Sequence, residues 1–125
     1  MPDKIRLTES QIESLAKEIQ KLLHTNGLWG GTYIYFNGCC MDSVDETGRT
    51  HYDGSVYVHP DIEPTDRFCY VNPDHILSMS FEGNVYQMFN HMMYTDVLHS
   101  FVNLLKQYGL YYELGNAWNL TCYYN

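Results

Sequence analysis

Apolar residues at Ile12, Leu15, Ala16, Ile19, Leu22 and Leu23 recur every three or four positions, the spacing that lines one face of a helix. Thr8 followed by Gln11 is a capping box for its first turn. Asn26-Gly27 is a stop, because glycine accepts the left-handed conformation that ends helices. Glu13 and Lys17 stand on the polar face in the favourable order for an i,i+4 pair. The period then shortens to two. Thr32-Tyr33-Ile34-Tyr35-Phe36 is dense in strand formers and follows Gly30-Gly31. Ser55-Val56-Tyr57-Val58 is a short strand closed by Pro60, and Arg67-Phe68-Cys69-Tyr70-Val71 is another. Leu77, Met79 and Phe81 alternate with Ser78 and Ser80, which predicts a half-buried strand. Gly38 to Gly54 and Asp61 to Asp66 read as polar connections, with turns at Glu46-Thr47-Gly48, Asp53-Gly54 and Asn72-Pro73-Asp74.

After Glu82-Gly83-Asn84 the helical period returns. Val85, Met88, Phe89 and Met92 predict a short helix, with Val85, Phe89 and Met92 turned to the core and Met93 and Tyr94 left open. Leu98, Phe101, Val102, Leu105 and Tyr108 predict a longer one, with Thr95 as N-cap and Gly109 as stop. Leu110 to Leu114 and Ala117 to Tyr124 flank Gly115-Asn116, the chemistry of a type II′ hairpin turn. The predicted architecture is one α+β domain over residues 1–125. It has a mostly antiparallel sheet of five or six short strands, an N-terminal helix, and one or two helices before a C-terminal hairpin. The chain has no internal repeat or low-complexity segment.

Composition adds a charge asymmetry. Of a net charge of −8, six units fall between Asp42 and Asp66, where Asp42, Asp45, Glu46, Asp53, Asp61, Glu63 and Asp66 face one base, Arg49. Such a field repels phosphate backbones and attracts basic surfaces. With seven Lys and Arg in all and no basic patch, direct nucleic-acid binding is disfavoured. The first residues lack the apolar core of a signal peptide, and no run reaches membrane-span length. The expectation is a cytoplasmic protein whose cysteines, Cys39, Cys40, Cys69 and Cys122, are reduced and buried.

The candidate chemistry is thin. His51-x-Asp53 and His59-x-Asp61 would each share a strand face and, with Asp74-His75, offer enough ligands for a divalent ion. They lie in acidic turns, where solvated His and Asp are ordinary, so no metal, cofactor or catalytic residue is assigned. A cysteine nucleophile needs a base and a field that favours thiolate, and the negative surroundings oppose one. Gly27-Leu28-Trp29-Gly30-Gly31 joins helix to strand, the reverse of a phosphate loop. Carboxylate pairs are abundant, but no spacing selects two of them.

Two segments carry a likeness to known proteins. Leu77-Ser78-Met79-Ser80-Phe81-Glu82-Gly83 and Tyr108-Gly109-Leu110-Tyr111-Tyr112-Glu113-Leu114-Gly115-Asn116-Ala117-Trp118 resemble small proteins encoded on conjugative elements and phages of gut Firmicutes. The resemblance spans about the last fifty residues, and Asn84 stands where a proline is expected. That group brings no activity or catalytic residues. By analogy with small acidic proteins of mobile elements, it implies an anti-restriction or anti-CRISPR-like setting. The leading expectation is a non-enzymatic inhibitor or decoy that binds the basic surface of a nucleic-acid-processing enzyme. The seven acids would supply charge, and Tyr52 and Tyr57 contact area. The alternatives are a small metal-dependent hydrolase using His51, Asp53, His59 and Asp61, and a homodimeric module built on the Met-aromatic run from Val85 to Tyr94.

Overall fold

The computed structural model describes residues 6–68, 71 and 75–125. The element order is α1 (Glu9–Thr25), β1 (Thr32–Phe36), β2 (Cys39–Asp42), β3 (Tyr57–Pro60), a 3-10 turn (Pro64–Asp66), β4 (Leu77–Phe81), α2 (Gly83–Asn90), α3 (Thr95–Gln107), β5 (Leu110–Asn116) and β6 (Asn119–Tyr124). The six strands form one sheet in the order β3-β2-β1-β4-β6-β5, with every pairing antiparallel. The fold is α+β, and β3 and β5 are its two edges.

Helix α1 starts as its capping box requires: Thr8 Oγ1 accepts from Gln11 N at 3.1 Å and Gln11 Oε1 accepts from Thr8 N at 2.8 Å. Leu15, Ala16, Ile19 and Leu23 are its buried stripe, and Gly27 ends the turn at φ 73°. These side chains meet Phe101 and Leu105 of α3 and one sheet face built from Ile34, Phe36, Met41, Leu77, Met79, Phe81, Leu120 and Cys122. Phe89 of α2 stacks on Phe81 at 4.9 Å and meets Phe101 and Tyr112 edge-on.

The opposite face is also closed. Tyr35 and Cys40 pack with Phe68 and Val71 in a second, smaller core. For that reason β4 is buried on both faces rather than one. Its inward serines are satisfied locally: Ser80 Oγ lies 3.0 Å from the Tyr35 hydroxyl, and Ser78 Oγ lies 3.1 Å from Thr121 Oγ1.

Several expectations are corrected. The polar connection from Gly38 contains strand β2, joined to β1 through Asn37-Gly38, both at positive φ, with Phe36 opposite Cys39. That is the two-residue type I′ hairpin that Asn-Gly favours. The C-terminal hairpin turns at Ala117-Trp118, because Asn116 pairs with Asn119 and its side-chain oxygen accepts from Trp118 N. Thr95 is the first residue of α3, and its cap is Tyr94 in the left-handed region. Met92 is 84% exposed, and Met88 takes the core place expected of it. Arg67 and Phe68 follow the 3-10 turn and are not strand. Val71, the end of that expected strand, is not strand either; Cys69 and Tyr70 lie outside the described residues, as does the turn at Asn72-Pro73-Asp74.

Candidate functional site: the acidic margin of edge strand β3

The acids fall in two segments on either side of β3. Asp45, Glu46 and Asp53 precede β3 in the connection from β2, whereas Asp61, Glu63 and Asp66 follow it. The four-residue strand between the two segments is itself roughly 13 Å long. Asp42 belongs to neither. It ends β2 with 1% exposure, which corrects its assignment to a partner surface. Its Oδ1 accepts from Val44 N at 2.9 Å and lies 2.9 Å from His59 Nε2. A buried carboxylate needs such partners, and here they come from its own turn and the neighbouring strand.

Asp45 organises the first connection. Its Oδ1 accepts from Thr47 N, Thr47 Oγ1 and Arg49 N, and its Oδ2 lies 2.7 Å from His51 Nε2. These bonds, led by His51, hold its carboxyl far below the usual carboxylate range. Asp53 accepts from Ser55 N and Ser55 Oγ, which lowers it too. Behind it, Gly54 sits at φ 92°, and a Cβ there would stand 2.4 Å from the His24 ring. Trp29 Nε1 donates to Ser55 O at 3.0 Å and anchors the connection to the main core. In the second group, Asp66 Oδ2 accepts from Glu63 N, and Glu63 Oε2 stands 3.8 Å from His75 Nε2.

Glu46, Asp53, Asp61, Glu63 and Asp66 are exposed, and Asp45 is half-buried. Among the described residues, no Lys or Arg comes within 4 Å of any of these six. Tyr52 is 80% exposed, with its ring lying over Gly30, and Tyr57 is half-buried against His51. Val56 and Val58, absent from the sequence-based set, are also exposed beside them. A valine within a strand gave no sign of facing solvent until β3 was known to be an edge.

The catalytic alternatives lose their geometry. His51 pairs with Asp45 and His59 with Asp42, not with Asp53 and Asp61. Among the described residues no three His, Cys, Asp or Glu side chains converge as a metal site would need, and Asp74 lies outside them. Cys40 is buried, with Asp42 Oδ2 3.8 Å from its sulfur; burial first and that carboxylate second push its thiol up to about 12. Burial alone does the same to Cys122. Ser78, His75 and Glu63 form a Ser–His–carboxylate chain, with Ser78 Oγ 3.2 Å from His75 Nδ1. Ser78 has no exposed surface for a substrate to reach.

Among the described residues no helix is long and apolar enough to cross a membrane. No family model matches the sequence, and no curated protein or solved structure matches it.

Proposed function

We propose that the chain is a non-enzymatic acidic binding protein whose partner is a basic protein surface. Its role is that of an inhibitor or decoy of a nucleic-acid-processing enzyme, as anti-restriction and anti-CRISPR proteins of mobile elements are. One observation carries the reading: five exposed carboxylates and a half-buried sixth flank both ends of an edge strand, with no Lys or Arg of the described residues paired to them and histidine facing Asp45 and Glu63 alone. Carboxylates that no Lys or Arg neutralises keep a field for a partner, and that field governs encounter rate and specificity. Tyr52, Val56 and Val58 add exposed apolar contact area beside the acids. The outer backbone of β3 offers further hydrogen bonds, limited at one end by Pro60.

The test uses exposed acids replaced by their amides, which keep an oxygen acceptor in place. Glu46→Gln, Asp53→Asn, Asp61→Asn and Glu63→Gln are combined, leaving Asp42 and Asp45 in place. Wild type immobilised on resin should capture a nucleic-acid-binding enzyme from a bacterial extract, and duplex DNA should release it. The quadruple variant should bind that enzyme about a hundredfold more weakly, since several charge contacts are lost together. Equal capture by both proteins, or a captured partner indifferent to DNA, rejects the proposal.

A further inference from the structure

A second feature lies on the sheet face opposite the long helices. Tyr33, Arg67, Ser80, Phe81, Glu82 and Trp118 line a cleft of about 260 Å³. That is a little below the usual range of ligand sites, about 300 Å³ upward, and three aromatic rings share its wall with three polar side chains.

Its parts are held in place. The Arg67 guanidinium lies 5.3 Å from the Tyr33 ring centre and 6.0 Å from that of Tyr35. The Tyr35 hydroxyl beside it is fixed by Ser80 Oγ at 3.0 Å. Trp118 is pinned by its backbone: its carbonyl accepts from Phe81 N at 2.9 Å and its N–H donates to Asn116 Oδ1 at 2.9 Å. The Phe68 ring meets its indole at 87°. Trp118 is nevertheless 40% exposed, so its ring remains available. Glu82 N donates to Gly31 O, while its side chain makes no cap bond to α2.

Arg67 is engaged by the Tyr33 and Tyr35 rings and by the field of Asp42, but neither charge in the cleft has an ion-pair partner. Among the described residues no carboxylate lies within 4 Å of Arg67 and no cation within 4 Å of Glu82. The Tyr33 hydroxyl is raised first by burial and next by the Asp42 carboxylate; Arg67 opposes them and Glu82 adds to them, so both cleft charges are felt at that ring. A simple anion would meet Glu82 and the field of a chain carrying −8. A simple cation would meet Arg67. A ligand with one charge of each sign satisfies both groups and leaves its apolar part for the rings.

We propose that this cleft binds a free amino acid with an aromatic or large apolar side chain. Its carboxylate sits on Arg67, its ammonium on Glu82 and its side chain against Trp118 and Tyr33. The proposal is independent of the acidic margin, whose residues do not line the cleft.

Calorimetric titration of the full chain with L-tryptophan, L-phenylalanine and glycine is the test, with tryptamine and indole-3-propionate as single-charge controls. Saturable binding of the two aromatic amino acids is expected, with glycine and both controls weaker by about tenfold or more. Arg67→Ala should weaken tryptophan by a similar factor. Glu82→Gln, at an exposed position, should weaken tryptophan while leaving indole-3-propionate no worse. In wild type, the Trp118 indole N–H resonance should move on titration with phenylalanine and that of buried Trp29 should not. No saturable binding, tryptamine binding as tightly as tryptophan, or an unmoved Trp118 signal overturns the proposal. The last readout needs no variant and holds even if Arg67→Ala fails to fold.

Discussion

Burial pushes His75 below its ordinary value of 6.5, and the facing carboxylate of Glu63 only partly opposes that. A histidine whose folded value is depressed takes up protons more readily when unfolded. Its contribution to stability is therefore complete above pH 6.5 and is lost as pH falls through the window below it. Urea unfolding between pH 5 and 7.5 should show stability flat near neutrality and declining on the acid side. His75→Asn should remove part of that decline. An identical slope in the variant would place the proton uptake elsewhere. Asp45 works in the same direction but much lower, because its carboxyl stays ionised until strongly acid pH. The two groups thus separate along the pH axis, and the shallow window near neutrality belongs to the histidine. Neither role was legible in the sequence. His75 and Asp45 looked like ordinary solvated residues until His51 and Glu63 were brought to them by chain reversal.

At the scale of elements, legibility followed locality. Helix α1 was readable because its cap, stripe and stop all lie within nineteen residues, Thr8 to Asn26, and agree with one another. Thr8→Ala tests how much the cap contributes. It removes the bond to Gln11 N and should lower stability by about 1 kcal/mol, measured by chemical denaturation. Gln11→Ala, which removes the reciprocal bond, should cost less, because the Thr8 contact survives it. Strand β2 was not readable for the converse reason. Cys39-Cys40-Met41-Asp42 shows no alternation, since β2 has buried residues on both faces, and its polar member is satisfied by His59, seventeen residues away. The Asn37-Gly38 turn was a usable signal, but the polar run after it outweighed it. Helix α3 begins on a left-handed Tyr94, with Met92 also at positive φ. Bulky residues are uncommon there, and no propensity rule would have chosen them over Thr95 as the cap.

For the whole molecule, charge acts on stability and on binding with opposite signs. Among the described residues the one Lys- or Arg-to-carboxylate pair is Glu13–Lys17, at 3.8 Å on the exposed face of α1, and such a pair contributes little. Lys and Arg attraction is therefore a minor part of the internal electrostatics, and the net charge of −8 leaves a general repulsion for salt to relieve. Raising sodium chloride from about 0.02 M to about 0.2 M shortens the screening length from roughly 20 Å to roughly 7 Å, less than the length of β3. The folded chain should become more stable over that range, by on the order of 1 kcal/mol, because repulsion is relieved more than attraction is lost. Thermal or urea unfolding in a salt series reads this directly. The complex with a basic partner should weaken over the same series, because the same field drives encounter. A chain that lost stability with added salt would have to hold its acids in attractive contacts, and those carboxylates would then be spent before any partner arrived. The quadruple neutralised variant ties the two slopes together: its stability should hardly respond to salt, and its residual binding should be salt-insensitive too. Agreement of both slopes in one variant would trace them to the carboxylates flanking β3 rather than to charge spread over the rest of the surface.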